Sequence, residues 1–326
     1  MKAIVHTEYG SPDLLRFEDV EKPTPKDDEV LIKIHAASLN AYDWHLLTAD
    51  IFPVRFATGL FKPKSTQIGA DISGVIEAVG KNVKQFKAGD EVFGDLASSG
   101  GGGFAEYVTA PESYLALNPT NLSFEEAAAI PMAAITALQG LRDEGKIQSG
   151  QKVLINGASG GVGTFAVQIA KFYGTEVTAV CSTRNLELAR SLGADHVIDY
   201  TQEDFTKSGL QYDLILAANG YHPLSAYKRA LTPNGIYIMA GGTAKQIFSA
   251  MLLGSLMSIG GNKKMGGVSA KPNQSDLYFM KELIESGKVR SIIDKTYPFS
   301  DVAKALHYLG EGHAQGKVIV TMEEQA

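Results

Sequence analysis

The stretch that most constrains this chain is Val153-Leu-Ile-Asn-Gly157-Ala-Ser-Gly160-Gly161-Val-Gly163-Thr-Phe-Ala-Val-Gln-Ile-Ala. An apolar run and a helix-like run stand on either side of a turn made only of small residues. Such a turn lets the backbone approach a pyrophosphate, and a helix starting near Gly161 points its free N–H groups and positive dipole end at the phosphates. Against the G-x-G-x-x-G fingerprint the first glycine is Ala158, followed by Gly160 and Gly163. The competing reading is a tight turn whose glycines serve only helix–strand packing. The surrounding pattern favours the nucleotide. Strands over 153–156, 177–181, 196–199, 213–217 and 236–240 alternate with helices over 162–173, 186–192 and 221–231. That alternation means parallel crossovers and a doubly wound sheet.

The end of the second strand points to one nucleotide over another. An NAD-binding chain normally carries Asp or Glu there, about 20 residues beyond the glycines, for the ribose hydroxyls. Here Val177-Thr-Ala-Val-Cys181 runs into Ser182-Thr183-Arg184-Asn185, with no acid. Two hydroxyls and a guanidinium suit a 2′-phosphate, so NADP(H) is the expected cofactor. The bland alternative for Arg184 is a solvated residue in a first helical turn.

The first 120 residues read differently. Val30, Ile32 and Ile34 alternate with Leu31, Lys33 and His35, the period of a half-buried strand over 29–36. Further strands are expected over 72–79, from 91 after the Gly89-Asp90 turn, and over 104–108 after a glycine-rich loop. The character changes at Ser123, where Ser123 and Glu126 have capping-box spacing. After about Lys271 come a helix over 275–286, a strand, a helix over 300–310 and a closing strand over 317–322. The first part is therefore expected to be a β-rich unit without helical periodicity.

Composition narrows the function. Thirty Lys and Arg against 36 Asp and Glu give a charge of −6, poor material for a nucleic-acid surface. With 44% hydrophobic residues the chain can bury a large core, so wholesale disorder is excluded. The single Cys181 forbids an intrachain disulfide and a multi-thiolate zinc site. No apolar run reaches 18 residues, so no membrane span is expected; the segment 247–259 is broken by serines and a glycine and reads as buried or subunit-facing. The start passes directly into polar residues, and a cytoplasmic setting is expected.

Several stretches together resemble the medium-chain dehydrogenase/reductases, in their zinc-independent, quinone oxidoreductase (zeta-crystallin-like) branch. They are Ser38-Leu-Asn-Ala-Tyr-Asp43-Trp, Gly69-Ala-Asp-Ile-Ser-Gly74-Val-Ile-Glu-Ala-Val-Gly80, Phe86-Lys-Ala-Gly-Asp90-Glu-Val-Phe-Gly94, Gly103-Phe-Ala-Glu-Tyr107-Val, Ala127-Ala-Ala-Ile-Pro131 leading to Thr136-Ala-Leu, the glycine loop, and Gly312-His-Ala-Gln-Gly316-Lys317-Val. The resemblance implies a GroES-like catalytic domain of 1–122 and 272–326, built from both chain ends, plus a Rossmann NADP(H)-binding domain of 123–271 inserted between them, an α/β architecture with the active site in the cleft between the two, and commonly a homodimer. Zinc-dependent relatives carry a catalytic Cys near Leu39–Asn40 and a His-Glu pair where this chain has Ala70-Asp71. Catalysis without metal is therefore expected. Without a Lewis acid nothing stabilises a developing alkoxide, so the acceptor should be a conjugated one, a quinone or an α,β-unsaturated carbonyl, that spreads the incoming charge. Metal-free reduction of ordinary aldehydes or ketones, and a non-catalytic NADPH-binding protein, are the alternatives.

The resemblance also implies residue roles. Asn40 and Asp43 would line the cleft near the nicotinamide ribose. His45 stands where many relatives have a Lys reaching the cofactor, with an exposed helix-start His as the alternative. Thr136 would approach the nicotinamide amide, and Gly160, Gly161 and Val162 would hold the pyrophosphate. Ser182, Thr183, Arg184 and Tyr200 would surround the adenosine phosphate. Asn219, Gly241 and Gly242 lie just past strand ends, where doubly wound sheets bind ligands. Gly316 and Lys317 would reach the cofactor from the other domain, unless Lys317 is a strand-edge lysine. Trp44 and Phe52 are candidates for an acceptor pocket or for core.

Overall fold

The strand that begins at residue 29 continues past the expected end at 36. Strand β3 (Glu29–Leu39) runs eleven residues in a computed structural model that describes residues 1–51, 54–242, 246, 254, 257–258 and 261–322. Its small residues Ala36, Ala37 and Ser38 extend it because they gain partners on both sides: Ala37 pairs with Ile72 and with Val320. Before it, β1 (Lys2–Val5) and β2 (Arg16–Asp19) form a two-stranded sheet. After it come helices α1 (Ala41–Thr48) and α2 (Val54–Thr58), then β4 (Asp71–Val79), β5 (Glu91–Asp95), β6 (Tyr107–Pro111) and β7 (Leu115–Leu117). The strand expected over 104–108 starts later. Phe104 and Ala105 instead face β1, through Ile4 N–H donating to the Phe104 carbonyl and an isolated Ala3–Ala105 bridge. Val30, Ile32, Ile34, Ile72, Ile76 and Val92 fill one core of this sheet.

Ser123 does start a helix, α3 (Phe124–Ala128), with Glu126 N–H donating to Ser123 Oγ at 3.3 Å and Ser123 N–H to Glu126 Oε2 at 3.0 Å. Ala128 and Ala129 pack with Ala36 and Ile319 of the β-rich part. The change in sequence character at Ser123 therefore comes before the division in space. One unit holds Met1–Met132, Lys271–Gly287 and the chain from Ser291; the other holds Ala133–Ala270 and Lys288–Arg290. Helix α4 (Pro131–Gln139) spans that boundary and ends in a π-helical turn.

The second unit is built on β8 (Lys152–Asn156), α5 (Gly161–Phe172), β9 (Glu176–Cys181), α6 (Leu186–Ser191), β10 (His196–Asp199), β11 (Tyr212–Ala217), α7 (Leu224–Arg229), β12 (Leu231–Met239) and β13 (Lys264–Gly267). All the pairings are parallel, in the order β10-β9-β8-β11-β12-β13. Counted from β8 this is third, second, first, fourth, fifth, sixth, the order of the dinucleotide-binding sheet, which reverses direction beside β8. Helix α7 is shorter than the expected 221–231 because Leu231 already pairs with Tyr212 as β12. The segment 247–259 lies almost wholly outside the described residues, as does Phe52.

The chain then returns to the first unit through α8 (Gln274–Glu285), β14 (Ile293–Pro298), α9 (Val302–Gly310) and β15 (Lys317–Thr321). The sheet there runs β14-β15-β3-β4-β5-β7, with β6 also on β3. The closing strand thus lies against the end of β3 nearest α1: Val318 faces Leu39. Among the described residues no helix is long and apolar enough to cross a membrane.

Candidate functional site

In the first unit, register gathers a buried polar cluster. Ser38 on β3 pairs with Asp71 on β4, and Asp71 with Asp95 on β5. Cross-strand partners share a face, so these polar groups meet in an apolar surrounding. Asp71 Oδ2 accepts from Ser38 Oγ at 2.9 Å, Asn40 Nδ2 at 3.0 Å and Lys317 Nζ at 3.4 Å, and its Oδ1 accepts from the Met132 N–H at 3.0 Å. Lys317 opens β15 and lies 3% exposed; it also donates to the Leu39 carbonyl at 3.1 Å and to Asn40 Oδ1 at 2.5 Å. The ammonium's three hydrogens thus face three oxygens, all within this unit. Asn40 precedes α1, and its N–H donates to Asp43 Oδ2 at 2.8 Å. Asp43 is fully buried. Desolvation pushes its carboxyl up to about 7; Asp71's charge adds to that rise, while the Asn40 N–H and Lys317 oppose it. Asp95 is raised as well, by burial first and then by Asp71. Three carboxylates therefore share one ammonium.

The other expected residues of this unit are held differently. His45 Nδ1 is 2.7 Å from Asp50 Oδ1, a local pair across the end of α1. Trp44 packs on α9, where a Cβ on Gly310 would fall 2.4 Å from its ring. Gly316 has φ +103°, and a Cβ there would stand 2.2 Å from the Ile292 carbonyl oxygen. That close approach is reason enough for glycine. His35 stacks on Phe124 at 4.4 Å, a packing contact.

In the second unit the expected residues gather at the carboxyl ends of the parallel strands. Gly157, with φ +84°, turns the chain out of β8; a Cβ at Gly163 would lie 2.0 Å from the Gly157 carbonyl oxygen. Helix and turn can touch only because Gly163 lacks a side chain, while at Gly157 a Cβ would stand 2.8 Å from Asn219. Gly160, by contrast, has nothing nearer than 3.8 Å to where its Cβ would lie, and it offers α5 no side-chain cap. The first-turn N–H groups of Gly161, Val162 and Gly163 precede any intrahelical acceptor. This is a cradle open on its ligand side, and it fits a pyrophosphate. The next loops are stitched beside it. Asn156 Nδ2 donates to the Asn219 carbonyl at 3.2 Å and to Tyr227 Oη at 2.7 Å, and Gly220 bridges Gly242. A Cβ on Gly241 would strike the Ala218 carbonyl oxygen at 2.4 Å. Thr136 is buried on α4.

At the end of β9, Thr183 and Arg184 are exposed and Ser182 is half-buried. Thr183 Oγ1 lies 2.5 Å from Asp199 Oδ2 on the neighbouring strand. A carboxylate can only accept, so Thr183 gives its hydrogen to Asp199 and has none left for a phosphate. Asp199 also accepts from Thr201 N–H and Oγ1, at 2.9 and 2.7 Å, and these hydroxyl contacts hold its carboxyl below the usual range. Ser182 differs: its Oγ accepts from Asn185 Nδ2 at 3.1 Å, and among the described residues its own hydrogen meets no acceptor. Tyr200 is 47% exposed, with its ring 5.8 Å from the equally open Tyr221. Cys181 is buried, its thiol pushed up to about 11 mainly by desolvation, so it is no nucleophile. Sequence reasoning assigned no role to Asp71, Asp95, Asn185 or Asp199. Asp71 had a visible signal, an acid opening an otherwise apolar strand, whereas the part played by Asn185 depends wholly on geometry.

A β-rich unit with a buried Asn–Asp–Lys cluster, joined in one chain to a dinucleotide-type sheet with an open glycine cradle, defines a class of two-unit α/β oxidoreductase. The family models agree: residues 26–120 match "Alcohol dehydrogenase GroES-like domain" and residues 192–320 match "Zinc-binding dehydrogenase". The chain is 37% identical to "Chloroplast envelope quinone oxidoreductase homolog" of Arabidopsis thaliana, covering 98% of each chain. It is 36% identical to that plant's "NADPH-dependent alkenal/one oxidoreductase, chloroplastic", over 98% of this chain and 79% of the relative. The solved quinone oxidoreductase from Coxiella burnetii superposes with a TM-score of 0.87 at 27% identity, covering 99% of both chains. The protein belongs to the medium-chain dehydrogenase/reductase family, in its quinone oxidoreductase branch. One matching model is described as zinc-binding. Among the described residues no three His, Cys, Asp or Glu side chains converge as ligands, and beside Asp71 stands the Lys317 ammonium.

Proposed function

We propose that the protein is an NADPH-dependent reductase that passes a hydride to a quinone or an α,β-unsaturated carbonyl without a metal ion. The observation that carries the cofactor half is the end of β9, where among the described residues the Ser182 hydroxyl hydrogen meets no acceptor and Arg184 stands exposed, while Asp199, the nearest acid, is engaged by Thr183 and Thr201. Gly160, Gly161 and Val162 would hold the pyrophosphate, and Asn219, Gly241 and Gly242 would border the nicotinamide half. The bound cofactor supplies the hydride; the chain supplies orientation. Asp71 and Lys317 hold the Asn40 amide, and Asp43 holds its backbone, contacts that would steady the loop leading into α1 where this reading puts the acceptor chemistry. The acceptor half draws support from the relatives, whose names join quinones and alkenals. A homodimer, a family expectation, and a cytoplasmic setting, expected from the sequence alone, belong to the same reading.

Two measurements test it. NADPH absorbance followed side by side with a quinone, a short alkenal and a saturated aldehyde should fall with the first or second and not with the third. Loss with the aldehyde alone selects the metal-free carbonyl reductase, and tight binding without turnover selects a non-catalytic binder. Arg184→Ala should weaken NADPH binding by about 1.5–3 kcal/mol, the scale of a hydrogen bond to a charged group, and leave NADH nearly unchanged. Equal losses would remove the 2′-phosphate assignment.

A further inference from the structure

Asn185 is 4% exposed and lies where the loops after β8 and β9 meet. Its Nδ2 donates to Ser159 Oγ at 2.9 Å and to Ser182 Oγ at 3.1 Å. The first serine belongs to the glycine cradle and the second to the end of β9. Both are half-buried, with a face to solvent. A hydroxyl has one hydrogen and two lone pairs. When one lone pair accepts from an inner amide, the hydrogen turns outward. One nitrogen holds both oxygens, so both lie within reach of a single phosphate group. Asn185 Oδ1 is buried with no hydrogen-bond partner among the described residues, an arrangement that costs stability and is retained here. Thr183 next door shows the opposite polarity, with its hydrogen drawn inward by the acceptor Asp199.

We propose that Asn185 is a positioning residue for cofactor selection: its amide nitrogen sets Ser159 and Ser182 as a pair of outward hydroxyl donors for the cofactor's 2′-phosphate. This rests on the NADPH reading. The polarity is what matters, and it can be reversed by one atom. In Asn185→Asp the side chain keeps its shape but only accepts, so both serine hydrogens turn inward and a negative charge is added behind them.

The test uses the full-length protein and two probes without a nicotinamide, 2′-phospho-ADP-ribose and ADP-ribose, titrated by calorimetry. Wild type should prefer the 2′-phosphorylated probe; absence of that preference would overturn the NADPH reading and this proposal with it. Given the preference, Asn185→Asp should weaken the 2′-phosphorylated probe by roughly tenfold to a hundredfold, and ADP-ribose by less than about threefold. An equal loss on both probes, or no loss on either, overturns the role of Asn185 and leaves the NADPH reading standing. Should Asn185→Asp fold poorly, a double-mutant cycle replaces it. Asn185→Ala should cost affinity for the 2′-phosphorylated probe in the wild-type background and little more once Ser159 and Ser182 are both alanine. Additive costs sink the proposal.

Discussion

The two polar clusters of this protein treat hydrogen bonds in opposite ways. In the β-rich unit Asp71, Asn40 and Lys317 are buried, and they spend their donors and acceptors on one another. At the strand ends of the parallel sheet, Ser159, Ser182 and the first-turn amides of α5 keep donors unspent. The difference comes from solvent. A charge or amide removed from water must find a protein partner or lose several kcal/mol, so a buried cluster closes on itself and becomes a rigid support. A donor at a half-exposed strand end is satisfied by water until a ligand displaces it, so leaving it open costs little. The first cluster should therefore answer to mutation mostly in stability, the second mostly in ligand affinity.

The strongest way to break that contrast is Asp71→Ala. It removes the carboxylate that Lys317, Asn40 and Ser38 all contact, and should destabilise the protein by about 3–5 kcal/mol in denaturant unfolding. A loss under about 1 kcal/mol would show that the cluster is not closed. Asp43→Asn probes the same cluster through pH. Asp43's folded pKa, about 7, lies above its unfolded value, so the folded state binds the extra proton. That preference is fully present below the unfolded value and is lost as pH rises from about 4 to 7, leaving the protein less stable above 7 by an amount on the order of 4 kcal/mol at most. The variant can still accept the Asn40 N–H and cannot titrate. Its melting temperature should vary less between pH 5 and 8 than that of the wild type, and an unchanged slope would assign the titration elsewhere. The smallest effect is expected from Ser182→Ala, at most about 1 kcal/mol in stability, since Asn185 retains Ser159. A larger loss would mean the strand-end hydroxyls are structural too.

How much was legible beforehand differs between the same regions. The glycine cradle was readable because its reasons are local. A positive φ at Gly157 and the missing Cβ at Gly163 arise within seven residues of chain. The Ser123 capping box was readable for the same reason, although the helix it begins packs with the earlier strands rather than opening the next unit. The contacts of Lys317 were not readable, because its partners Asn40 and Asp71 stand 277 and 246 positions away in sequence.

By itself the sequence determined the kind of chain this is: strand–helix alternation after 151, strand periodicity before 120, one cysteine, and a nucleotide turn free of acid at its partner strand. Periodicity and turn chemistry act over a few residues, so they survive without coordinates. Only the tertiary structure decided which hydrogen atom points where. Strand register brought Asp71 between Ser38 and Asp95, and the meeting of two loops put Asn185 behind Ser159 and Ser182 while Asp199 took the hydrogen of Thr183. Adjacent hydroxyls, Ser182 and Thr183, thus acquire opposite donor directions from partners that no local pattern names.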